Sequence, residues 1–212
     1  GLTAVPFGTD VLGVQDTSPY REVLRTYRKT DHRTEPADLL YGEVLNANSG
    51  TVICTTGYLT ELCAYAVNRG GKSVLADRTK CAGIYITGGG WQTGWDNNFS
   101  AVPEACAASE AAEDLLPDGT VFVPSDFGGP VICGAALQKA DPGRTDPVTA
   151  ALHAFGTETG RAGWDPSAVW ISVTAPSASS WSEVRCGFVY HAPAGENDFT
   201  DPGGTSGRFF AA

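Results

Sequence analysis

Short runs of β-branched and apolar residues, each cut off by glycine or proline, constrain this chain more than any other feature. Thr51–Thr56 lies between Gly50 and Gly57, Leu62–Val67 stops at Asn68-Arg69-Gly70-Gly71, and Lys72–Ala76 and Ala82–Thr87 lead into Gly88-Gly89-Gly90. Thr120–Pro124, Pro130–Leu137, Ala168–Val173 and Arg185–Tyr190 repeat the pattern further on. Runs of this length bounded by turn-forming residues read as strands.

Helical periodicity is confined to three places. Ser18 and Pro19 form an N-cap and first-turn pair ahead of Tyr20, Val23, Leu24 and Tyr27, which recur at helical spacing. Pro103 opens an Ala- and Glu-rich run ending at Leu115-Leu116, and Asp146-Pro147 opens a shorter one closed by Gly156. Residues 1–17 show little periodicity and read as an extended arm. The expectation is a mostly β chain: an eight-stranded antiparallel jelly-roll or β-sandwich over 18–212 with two or three short helices in its connections.

Composition narrows the function classes. Only 18% of the 212 residues are charged, below the usual quarter, so the surface is largely neutral and suits a packed assembly. A net charge of −10 opposes a nucleic-acid-binding face, because phosphate affinity comes from clustered Lys and Arg. The densest basic cluster, Arg21, Arg25, Arg28, Lys29 and Arg33, reads as the solvated face of the first helix. No apolar run reaches the roughly 18–20 residues of a membrane-spanning helix. The chain starts at Gly1 and contains no Met, from which proteolytic release from a precursor is expected.

Six cysteines, at 54, 63, 81, 106, 133 and 186, allow either three disulfides or six reduced thiols, and none has Cys-x-x-Cys spacing. Gly88-Gly89-Gly90-Trp91 lacks the Lys and Ser/Thr of a phosphate loop, and Ser206 does not complete a nucleophile elbow because Arg208 stands at the fifth position. The imidazoles are His32, His153 and His191. Glu110, Glu113 and Asp114 read as the wet side of a helix, and Trp91 and Trp95 as buried anchors. Asn98-Phe99-Ser100 is a glycosylation sequon of the kind that occurs by chance. No catalytic, cofactor-binding or metal-binding residue is nominated, and no enzyme is expected.

Four segments in chain order carry a resemblance: Tyr20–Arg28, Ala64–Gly71, Val121–Ser125 and Ala194–Phe199. They are similar to the basic helix, the aromatic strand ending in Arg-Gly-Gly, the Val-Pro segment and the Ala-Gly-Glu-Asp-Phe motif of jelly-roll capsid proteins of picornavirus-like RNA viruses of insects and marine protists. Asn197 interrupts the last motif. The resemblance implies a capsid subunit cut from a polyprotein, assembled in the host cytoplasm into an icosahedral virion. Its implied partners are other capsid subunits and a host receptor, with weak or no direct RNA binding and no cofactor. The alternative is a secreted, disulfide-linked β-sandwich that binds or hydrolyses a glycan through Trp91, Trp95 and Trp181.

Overall fold

The computed structural model describes residues 19–27, 36–91, 94–174, 183–191, 195–200 and 208–211. The expected arm over 1–17 lies outside them.

The backbone is not a jelly roll. Four strands, β1 (Thr51–Thr55), β2 (Cys81–Thr87), β3 (Val121–Val123) and, far along the chain, β8 (Arg208–Ala211), lie side by side and parallel. Two strands, β6 (Glu183–His191) and β7 (Glu196–Thr200), extend the sheet antiparallel beyond β8, giving the order β1-β2-β3-β8-β6-β7. A separate two-stranded ribbon joins β4 (Ile132–Cys133) to β5 (Arg161–Ala162). Helices connect the parallel strands: α3 (Thr60–Arg69) and α4 (Lys72–Ala76) lead from β1 to β2, and α5 (Asn97–Ser100) and α6 (Pro103–Leu115) lead from β2 to β3. Parallel neighbours require such crossovers, which an antiparallel sandwich does not.

Both faces of the parallel sheet are covered, and side-chain alternation shows it residue by residue. Ile53, Ile84, Ile86 and Phe122 point into a core with Leu62, Cys63, Ala66, Ala108 and Ala112 of α3 and α6. Their neighbours Cys54, Tyr85, Val121 and Val123 point the other way, against Ala168 and Ile171 of α10 (Trp164–Thr174). Strands covered on both faces carry apolar or β-branched residues at most positions, which is why β1, β2 and β3 were legible as strands.

Four expected strands are corrected. Leu62–Val67 lies in α3, where Leu59, Leu62, Cys63 and Ala66 are buried at helical spacing and Gly70 closes the helix at φ +118°. Lys72–Ala76 is α4, and Ala168–Val173 lies in α10, which buries Ala168 and Ile171 and exposes Val169, Trp170 and Val173. Pro130–Leu137 holds only the short β4 before α8 (Ala135–Ala140) begins. An apolar run beside a sheet looks the same as one within it, and only the burial period separates them.

The three expected helices are present: α1 (Pro19–Tyr27), α6, and α9 (Pro147–Ala154), whose cap Asp146 accepts the amides of Val148 and Thr149. A further helix, α2 (Ala37–Ala47), precedes β1 and packs on α3. Among the described residues no helix is long and apolar enough to cross a membrane.

Candidate active site

Strands β1, β2 and β3 all end on the same side of the sheet, at Thr55, Thr87 and Val123, and in open parallel sheets ligands bind outside such carboxyl ends. The loops that follow form the floor and rim of the site.

The floor is the glycine run after β2. Gly88 and Gly89 take φ values of +156° and +95°, and a Cβ on Gly88 would stand 2.6 Å from the Phe99 ring, while one on Gly89 would run into Phe199. No other residue type fits both conditions there. Three successive amides leave this floor for three different side chains. Gly89 N–H donates to Asp96, Gly90 N–H to Asn197 Oδ1 at 3.3 Å, and Trp91 N–H to Asp126 Oδ2 at 2.6 Å.

Asp96 is buried at the start of α5, and its Oδ1 also accepts the Asn98 amide at 2.8 Å. Loss of solvation, opposed by these two amides and reinforced by the carboxylates of Asp165 and Asp126, pushes its pKa up to about 6. Asp126 lies in the first turn of α7 (Ser125–Gly128), shortly after β3. Asp165 sits in the first turn of α10, where poor solvation raises its carboxyl against the pull of Arg161. The start of α10 is held by the Trp164 indole, which donates to the Ser125 carbonyl at 3.2 Å, and by Gly128, where a Cβ would lie 2.5 Å from Trp164 Cα.

Polar atoms without partners belong to residues at or after the ends of β1 and β2. Among the described residues Thr55 Oγ1, Thr87 Oγ1 and Asn97 Oδ1 are buried with no hydrogen bond. Leaving such groups unpaired costs about 1–3 kcal/mol each, a cost that a bound polar ligand or water removes. No three His, Cys, Asp or Glu side chains among the described residues are grouped to hold a metal ion.

Trp91 and Trp95 are about half exposed, not the buried anchors expected, although the Trp91 ring stacks on Phe199 at 5.9 Å. Trp164, in the first turn of α10 beside Asp165, is also exposed. The sequon is folded into this site: Asn98 donates to the Thr87 carbonyl and Phe99 is fully buried. Glu113, expected on a wet face, accepts the Tyr190 amide. His153 lies 3.7 Å from Glu158, away from these residues on α9. His32 and Ser206 are outside the described residues, as is the side chain of His191. Sequence reasoning passed over Asp96, Asp126 and Asp165. The available signal was their position, in the loops that follow β2 and β3 and at the first turn of the helix packed across the sheet.

No protein-family model matches the sequence, and no curated protein does. Solved structures do. A plant nucleoside hydrolase superposes with a TM-score of 0.63 at 19% identity, over 97% of this chain and 74% of its own. The chain has the nucleoside hydrolase fold. A purine-preferring ribonucleoside hydrolase from Gardnerella vaginalis (TM-score 0.59, 16% identity, 87% of this chain) and an inosine-uridine preferring nucleoside hydrolase from Bacillus anthracis (0.58, 15%, 88%) share it. This chain spans 62% and 63% of the length of those two bacterial proteins.

The likeness overturns the capsid resemblance and everything that hung on it: the jelly roll, the structural role without enzymatic activity, the capsid-subunit and receptor partners, and the virion location. The disulfide-linked sandwich fares no better, since the fold is a helix-covered parallel sheet and Cys54, Cys63, Cys81, Cys106 and Cys133 are free thiols.

Proposed function

We propose that this chain hydrolyses the N-glycosidic bond of a nucleoside. The observation that carries the reading is the gathering of Asp96, Asp126 and Asp165 at the carboxyl end of the parallel sheet, in a fold shared with three nucleoside hydrolases.

In the reaction, a water oxygen bonds to the anomeric carbon while the carbon–nitrogen bond breaks and its electron pair leaves with the base. The water gives up a proton and the departing base takes one. Asp96 suits the first transfer, because a carboxyl poised at about 6 is ionised at neutral pH yet basic enough to accept a proton. The unpaired Thr55, Thr87 and Asn97 atoms suit sugar hydroxyls, and the flat faces of Trp91, Trp95 and Trp164 suit a nucleobase. Asp126 acts on the loop and holds Trp91 in place.

The test is to incubate the chain with purine and pyrimidine ribonucleosides and follow free base by chromatography and ribose by reducing-sugar assay. Equimolar base and ribose are expected, with turnover falling by about 10²-fold or more in Asp96→Asn. Absence of base release from every nucleoside overturns the reading.

A further inference from the structure

We propose that Asn197 is a positioning residue for the base-binding side of the site, holding Trp91 and Trp95 in a fixed relation through the main chain of Gly90 and Gly94. Because base binding belongs to the hydrolysis proposed above, this role rests on that reading. Asn197 is the residue that breaks the Ala-Gly-Glu-Asp-Phe landmark. It lies in β7, 107 residues beyond Gly90.

Asn197 is 3% exposed, on the same face of β7 as the buried Phe199, and both ends of its carboxamide are spent on one residue. Its Oδ1 accepts the Gly90 amide at 3.3 Å, and its Nδ2 donates to the Gly90 carbonyl at 3.5 Å. A third bond runs from the Asn197 main-chain N–H to the Gly94 carbonyl. Gly94 N–H donates in turn to the Gly90 carbonyl at 3.1 Å and closes the turn. A tryptophan follows each of these two glycines, and Trp95 bridges to Glu196 beside Asn197. One residue of β7 therefore grips both ends of the turn that carries the two half-exposed indoles.

The partners dictate the residue type. Gly90 presents one donor and one acceptor, which a carboxamide answers together; a carboxylate offers acceptors alone, and a leucine of similar size offers neither. A buried amide left unpaired is costly, so this pairing specifies where the loop sits and not merely that it is attached. Helix α5, capped by Asp96, is fastened to the same stretch of chain, because Ser100 Oγ donates to the Gly195 carbonyl. The bonds of Asp96 itself go to the amides of Gly89 and Asn98 and do not involve Asn197. Loss of the Asn197 carboxamide thus displaces the indoles while leaving the proton-transfer group in place.

The experiment uses the whole chain, labelled with nitrogen-15, and two variants. Asn197→Leu is expected to speed hydrogen exchange at the Gly90 amide about tenfold, and to raise KM for a nucleoside about tenfold with kcat held within about threefold. The indole signals of Trp91 and Trp95 shift, whereas that of Trp164, bonded to the Ser125 carbonyl, stays in place. Asn197→Asp keeps the acceptor and loses the donor, so its values fall between those of the parent and the leucine variant, and it reads the same tie if the leucine variant does not fold. Unchanged exchange at Gly90, a Trp164 signal that moves as far as the other two, or a loss confined to kcat overturns the proposal. Exchange and indole spectra need no substrate, so failure of hydrolysis and failure of this tie are seen apart.

Discussion

The backbone amide of Trp91 donates to the carboxylate of Asp126 at 2.6 Å, joining the loop after β2 to the helix after β3 across the carboxyl end of the sheet. The acceptor is a side chain and the donor is main chain, so replacing Asp126 removes this tie while Trp91 itself is left in the sequence. Asp126→Ala is expected to free the Trp91 loop, raise KM for a nucleoside more than it lowers kcat, and red-shift the tryptophan emission. Steady-state kinetics and a fluorescence spectrum on one preparation check both effects. An unchanged KM would mean that the loop holds its position by other means.

Asp96 makes the fold pay attention to pH. Its carboxyl titrates near 3.8 in the unfolded chain and about 6 in the folded one, so the folded state holds the proton more tightly. Stability from this group is therefore full below about pH 4 and declines as pH rises through 6, by roughly 3 kcal/mol if the full shift is expressed. Asp96→Asn, which cannot ionise, is expected to match the parent near pH 4 and exceed it at pH 7. Urea unfolding at the two pH values measures the difference. The same substitution is expected to remove hydrolysis, separating the stability of the site from its use.

Phe122 is fully buried and touches three other rings: Phe99 edge-on at 6.3 Å, Phe188 stacked at 4.8 Å and Phe199 edge-on at 5.3 Å. Phe122→Ala opens a cavity at the junction of β3, α5 and the antiparallel strands, and is expected to destabilise the chain by about 3–5 kcal/mol. Chemical denaturation reads the loss. A cost under 1 kcal/mol would mean that the ring cluster collapses onto the vacancy.

Gly89→Ala tests the floor. The new methyl meets Phe199, and the residue sits at φ +95°, outside the range that side chains favour. A loss of about 1–3 kcal/mol is expected, together with weaker stacking of Trp91 on Phe199, visible in near-ultraviolet circular dichroism.

How far these features were legible differs from element to element. β1, β2 and β3 announced themselves because strands covered on both faces are rich in apolar and β-branched residues, and α9 because Asp146 and Pro147 mark its start. Leu62–Val67 and Ala168–Val173 were misread because they lie against the sheet and carry the same residues as the strands they cover. Once those two are seen as helices, strands alternate with helices and a parallel sheet follows. The order of residues then places Asp96 and Asp126 in strand-following loops. Their proximity to Asp165 was beyond reach, since it depends on α10 crossing the sheet from another part of the chain. Ordered landmarks such as Ala64–Gly71 misled for a related reason: a short match of residue types says nothing about whether the backbone beneath it is strand or helix.

The glycine floor has one more consequence. Gly89, Gly90 and Trp91 offer consecutive amides to Asp96, Asn197 and Asp126, which stand at the cap of α5, in β7 and in α7. Because every one of these bonds begins at main chain, the side chain at position 91 takes part in none of the three, and its ring stacks on Phe199. That position can exchange one aromatic for another that still stacks on Phe199 while the three bonds beneath it stay seated. In the proposed hydrolysis, selectivity for one base over another can therefore drift at the rim without the architecture having to be rebuilt.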